Sequence, residues 1–118
     1  MSEAISREVM EEERVYPPMH PGEFLKLEFL KPLELTPYKL AKELGVPGPR
    51  IYDLVRGKRG ISADTALRLA RYFGNSARFW LNLQNHYDLE LEEERIGASV
   101  AEIRPLGESP AADPTQAL

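Results

Sequence analysis

"LTPYKLAKELGVPGPRIYDLVRGKRG", residues 35–60, carries two short helical patterns set around a single glycine. In the first, Thr36 is a good N-cap and Pro37 follows at the first helical position, where a missing N–H costs nothing. Leu40, Ala41 and Leu44 form its inward stripe, and Gly45 is placed to take the left-handed conformation that ends a helix. After Val46 and Pro47 the spacing of Ile51, Leu54 and Val55 predicts a second short helix, which stops at the basic turn "RGKRG". Pro47 and Pro49 fall in its opening turn, among N–H groups that have no intrahelical partner to lose.

Two short helices joined at a glycine are the physical content of a helix-turn-helix. Ala41 has to be small where the helices cross, Gly45 makes the turn, and Val46, Ile51 and Leu54 fix the angle. An ordinary αα-hairpin has the same spacing, so spacing alone leaves that alternative open. Charge favours the first reading: residues 36–60 hold six bases against two acids. Such a cluster beside a groove-entering helix supplies phosphate contacts. The candidate DNA-contacting residues are Tyr38, Lys39, Pro49, Arg50, Tyr52, Asp53, Arg56, Lys58 and Arg59. Gly48 and Pro49 can offer a base only backbone or apolar contact, for example to a thymine methyl. Direct readout then falls to Arg50, Tyr52 and Asp53, with Arg56, Lys58 and Arg59 holding the DNA backbone and DNA shape adding specificity. Asp53 could accept from a cytosine amino group or pair with Arg50 or Arg56.

Working outward, "GEFLKLEFLKPL" (22–33) sets Phe24, Leu25, Leu27, Phe29 and Leu30 on a wide apolar face, and Pro32 should end that helix. Ser62 caps "ADTALRLARYFG", with Leu67, Ala70 and Phe73 expected inward and Gly74 ending it. Ser76 caps a fifth segment in which Phe79, Trp80, Leu83 and Tyr87 keep helical spacing. Beyond Arg95 the periodicity fades; "IGASVAEIRPL" (96–106) could hold a short strand, and 107–118 reads as a disordered tail. The expected architecture is all-α with five helices: a domain over 17–95, an acidic extension over 1–16 with room for an amphipathic turn, and a tail over 96–118.

The chain has 118 residues, 42% of them hydrophobic, which suffices for one small core. No apolar run suits a membrane span, and the acidic N-terminus lacks the apolar region of a signal peptide, so a cytoplasmic protein is expected. With no cysteine, thiolate metal sites are excluded, and His20 and His86 have no spacing that would converge on a metal. His20 is better placed to start the first helix, and Ser62 and Ser76 are caps before they are nucleophiles. "GKRG" lacks the strand–helix context of a phosphate loop. No catalytic residue, cofactor, metal or small-molecule substrate is expected. The net charge of −4 is unevenly spread: five acids against two bases over 1–16, eleven bases against six acids over 17–85, and eight acids against two bases over 86–118.

Three strings carry a more specific likeness: "HPGEFL" (20–25), "GKRGISADTALRLARYFG" (57–74) and "FWLNLQNHYDL" (79–89). Together they resemble the HigA family of antitoxins, in the Xre/Cro-like helix-turn-helix superfamily, from His20 to about Glu90. The resemblance implies a five-helix lambda-repressor-like DNA-binding domain. It also implies a homodimeric transcriptional autorepressor that binds double-stranded operator DNA and neutralises a HigB-type toxin, a ribosome-dependent messenger-RNA endonuclease. Phe79, Trp80, Leu83 and Tyr87 are read as core or dimer-interface residues, since the last helices form the subunit interface in such folds. The acidic ends are solvated tails, screens of the basic face, or docking surfaces for a basic partner; the family favours the last. Two alternatives stay open: a stand-alone Xre-type regulator without a toxin, and an interaction module that has lost DNA binding.

Overall fold

A computed structural model describes residues 18–108. The acidic extension 1–16 and the end of the expected disordered tail, residues 109–118, lie outside the described residues. Among the described residues five helices follow in order: α1 (Pro21–Leu25), continued by a π-helical turn (Lys26–Leu30); α2 (Pro37–Leu44); α3 (Gly48–Val55); α4 (Ala63–Phe73); and α5 (Ala77–Ala101), with a 3₁₀ turn at Leu106–Glu108. Among the described residues there is no strand. The strand allowed for in 96–106 is not formed, because α5 continues through Ile96, Gly97 and Val100. A helix satisfies its own backbone groups, whereas a lone strand here would have had no neighbour to pair with.

Local chemistry sets the helix ends. The Thr36 hydroxyl accepts from the Lys39 N–H at 3.0 Å, Ser62 from Thr65 at 3.3 Å and Ser76 from Phe79 at 3.0 Å. Gly45 and Gly74 end α2 and α4 with φ of 73° and 80°, the left-handed region that glycine enters without a Cβ clash. Pro47 is the N-cap of α3, one position outside the first turn where the sequence placed it, and Gly48 opens the helix. In the π turn the repeat widens to five, Lys31 donating to the Lys26 carbonyl, and the segment closes around Glu34, at φ 52°, with Leu35 donating back to the Leu30 carbonyl. Leu25 and Leu30, five apart, are therefore both buried, while Leu27 is turned outward.

The core gathers Leu25, Leu30, Leu40, Leu44, Ile51, Leu54, Ile61 and Leu69 around Trp80, which is 0% exposed. Rings of Phe24, Phe29, Phe73 and Phe79 surround the indole with centroids 5.1–6.4 Å away, and its N–H donates to Asn75 Oδ1 at 2.8 Å. Each such large apolar side chain contributes about 1.5–3 kcal/mol on burial. Leu67 does not join them. It is 63% exposed, and the inward stripe of α4 is Ala66, Leu69 and Ala70, with Thr65 and Phe73.

The chain divides into two compact units, Met1–Asp88 and Leu89–Leu118. In the second, the described part of α5 carries a two-point pair between Arg95 and Glu92 at 2.7 Å. Among the described residues no helix is long and apolar enough to cross a membrane.

Candidate nucleic-acid interface

The interface is built on α3. Ile51 and Leu54 face the core, which leaves Pro49, Tyr52 and Arg56, at helical spacings of three and four, on the solvent side. Tyr52 is 45% exposed, and Tyr38, on the first turn of α2, is 60% exposed. Lys39 lies beside it and pairs with Glu43 at 3.2 Å. Asp53 sits 3.6 Å from Arg56. Of the two partners open to Asp53 from sequence, the structure thus selects Arg56.

Arg50 has a different partner, Asp64, whose Oδ1 accepts from its Nη1 at 2.9 Å. The same oxygen accepts from Arg68 Nε at 2.7 Å, and Arg68 Nη1 donates to the Leu44 carbonyl at 2.7 Å. The Leu44 carbonyl is one of those at the end of α2 with no intrahelical partner, so Arg68 closes the α2–α3 turn from outside. The Arg68 hydrogen bond is the chief cause that holds the Asp64 carboxyl below the usual aspartate range; desolvation opposes it, and the Arg50 hydrogen bond adds to the lowering.

After α3 the chain enters the basic turn through Gly57, at φ 77°, with the Lys58 N–H donating to the Asp53 carbonyl at 2.8 Å. Arg56, Lys58 and Arg59 are all exposed. Two other elements hold this turn. Gln84 of α5 accepts from the Ile61 N–H at 2.7 Å and donates to Asp88 at 3.0 Å. His20 caps α1 by accepting the Gly22 N–H on Nδ1 at 2.9 Å, the role its place before "PGE" suggested, and its ring meets Tyr87 edge-on at 4.9 Å. A Cβ at Gly57 would lie 3.8 Å from that imidazole. Burial lowers the His20 pKa, with Asp88 and then Glu23 working the other way.

The structure thus brings Tyr52, Asp53, Arg56, Lys58 and Arg59 together at α3 and its exit, with Pro49 and Arg50 at its start and Tyr38 and Lys39 at the start of α2. Of the two roles read for Trp80, core or dimer contact, the structure shows the first: it is wholly enclosed by its own chain. Phe79, Leu83 and Tyr87 are half-buried, and each packs within the chain. Sequence reasoning did not single out Arg68 or Gln84, and gave Asp64 no place in the interface. Gln84 left a trace, a polar residue four past Trp80 on the inward side of an apolar string; the partners of Asp64 and Arg68 become visible only in three dimensions. Among the described residues no group of three or more His, Cys, Asp or Glu could hold a metal ion.

A left-handed glycine turn between α2 and α3, with α3 presenting aromatic and basic side chains, defines the class of helix-turn-helix DNA-binding proteins, and a helix-turn-helix family model matches residues 27–80. Within that class the chain belongs to the HigA family of antitoxins. It is 49% identical to the Pseudomonas aeruginosa antitoxin HigA solved with the higBA promoter, at a TM-score of 0.73, covering 75% of this chain and 98% of that one. Over 89 residues it is 36% identical to antitoxin HigA-1 of Vibrio cholerae, 75% of this chain and 84% of the relative. Over 78 residues it is 55% identical to virulence-associated protein I of Dichelobacter nodosus, 66% of this chain and 72% of the relative.

Proposed function

We propose that the protein is the antitoxin of a type II toxin–antitoxin module, acting as a homodimeric repressor of its own operon and neutralising a HigB-type messenger-RNA endonuclease. The observation that carries this reading is the exposed face of α3, backed by a buried Ile51–Leu54 side and followed by Arg56, Lys58 and Arg59. A rigid helix of that kind suits the major groove, and in a dimer two of them would read half-sites about 34 Å apart. Tyr52 and Arg50 are the base-reading candidates, and Tyr38, Lys39, Arg56, Lys58 and Arg59 hold phosphates, with the Asp53–Arg56 pair steadying the helix. The P. aeruginosa HigA seen with its promoter supports the operator assignment. Half-buried Phe79, Leu83 and Tyr87 are the proposed subunit contacts, and the acid-rich residues 88–94 suit a basic partner.

The reading is tested with fluorescence anisotropy on a duplex from the region upstream of the gene, and by co-expression with the adjacent reading frame. Operator binding at nanomolar protein, growth rescue and a co-purifying basic protein are the expected results. Alanine at Lys58 or Arg59 should weaken operator and unrelated DNA alike and lower the salt slope by about one per residue. No binding to any duplex at low salt would remove DNA from the account. DNA binding without a toxin neighbour would leave a stand-alone regulator.

A further inference from the structure

Arg50 differs from the other cations of the interface. Its side chain is 27% exposed against 59% for Arg56 and 58% for Lys39. It is fastened by Nη1 to an oxygen that Arg68 also holds, and Arg68 is itself fastened to the last carbonyl of α2. The links Leu44–Arg68–Asp64–Arg50 therefore run from the end of α2, through the first two turns of α4, to the first turn of α3. A carboxylate is an unfavourable group to keep beside a phosphate-binding surface, since it repels the polyanion. Asp64 nonetheless stands there, 55% exposed.

We propose that Asp64 and Arg68 are positioning residues that hold the Arg50 guanidinium for base recognition, sacrificing some general DNA affinity for discrimination. A long arginine at the start of a groove helix has many rotamers, and most of them lead to phosphates rather than bases. Fixing one nitrogen on Asp64 restricts those rotamers and leaves the rest of the planar fork to meet a base edge, guanine O6 and N7 being the pair that suits it. Arg68 in turn fixes Asp64, so the aim of Arg50 is referred to the α2–α3 turn itself. This inference rests on the reading of α3 as the base-contacting helix.

The test compares a duplex from the upstream region of the gene with a scrambled duplex of equal length, across a salt series, using the full-length protein. Asp64→Asn is expected to bind the scrambled duplex more tightly than wild type. It should also lower the upstream-to-scrambled affinity ratio by about tenfold, the range of one well-made base contact. Arg50→Ala should lower the ratio equally, and the double variant should lower it no further than Arg50→Ala alone. Arg50→Lys, a surface change that keeps the charge, should lose the discrimination while keeping the salt slope. It decides the matter should Asp64→Asn melt early by circular dichroism. Wild-type binding with an unchanged ratio in both Asp64→Asn and Arg50→Lys, or additive losses in the double variant, overturns this proposal alone. Wild type that binds no duplex overturns it together with the reading of α3.

Discussion

Gly22 packs directly on the Leu54 carbonyl, so closely that a Cβ at position 22 would overlap the backbone of α3. The N-terminus of α1 is thus a support for α3, the proposed recognition helix, and the contact explains why "HPGEF" holds a glycine, the one residue without a Cβ. Neither backbone can give way cheaply. Gly22→Ala should cost about 1–3 kcal/mol, the range for overpacking, measured by urea denaturation. A variant as stable as wild type would show that α1 and α3 can separate without loss.

Gln84 should matter to both stability and DNA. Removing it in Gln84→Ala strips the part-buried Ile61 N–H of its acceptor, at about 1–3 kcal/mol, and frees the turn that carries Lys58 and Arg59. The expected readouts are a lowered urea midpoint and weaker binding to all duplexes, with their relative order kept.

His20 makes stability depend on pH. Its Nδ1 carries no proton where it accepts the Gly22 N–H, and burial holds its folded pKa below the ordinary histidine value of about 6.5. The unfolded chain then binds the proton more readily than the folded one, so stability is full above the unfolded pKa. It falls as pH drops through 6.5 towards the folded pKa. Melting curves between pH 8 and pH 5 should show this decline, and His20→Asn, which can cap but does not titrate, should flatten that part of it.

Trp80 is the protein's only tryptophan, and its side chain is fully enclosed. Its emission should be blue-shifted and resistant to iodide until the core opens, which makes it a clean reporter of unfolding. Trp80→Ala should cost about 3–5 kcal/mol, read by circular dichroism since the fluorophore is gone.

The helix ends were legible because their chemistry is local. Thr36, Gly45, Ser62, Gly74 and Ser76 each act on a neighbour within a few positions. The exposed face of α3 was legible for the same reason, since Ile51 and Leu54 fix which side is buried. Leu67 was misplaced because a large leucine outweighs Ala66 in any reading by hydrophobicity, yet the tight packing of α4 admits the alanine. The helical path of 96–101 was obscured by Gly97, Ser99 and Val100, poor helix formers carried here by a long preceding helix. Leu27 was misread because the five-residue repeat of the π turn leaves no mark in a pattern of threes and fours. Within the interface, the Arg50–Asp64 pair spans 14 positions, and no rule of spacing reaches that far.

The two prolines at the start of α3 bear on how such a surface can change over time. Pro47 holds the N-cap at φ −62° and Pro49 lies in the first turn, so the chain has few alternatives here even when unfolded. The angle of α3 is thereby fixed apart from the residues it presents. On the proposed reading of α3, new operator preferences are then reached by exchanging Arg50 or Tyr52 on an unchanged mount, one side chain at a time.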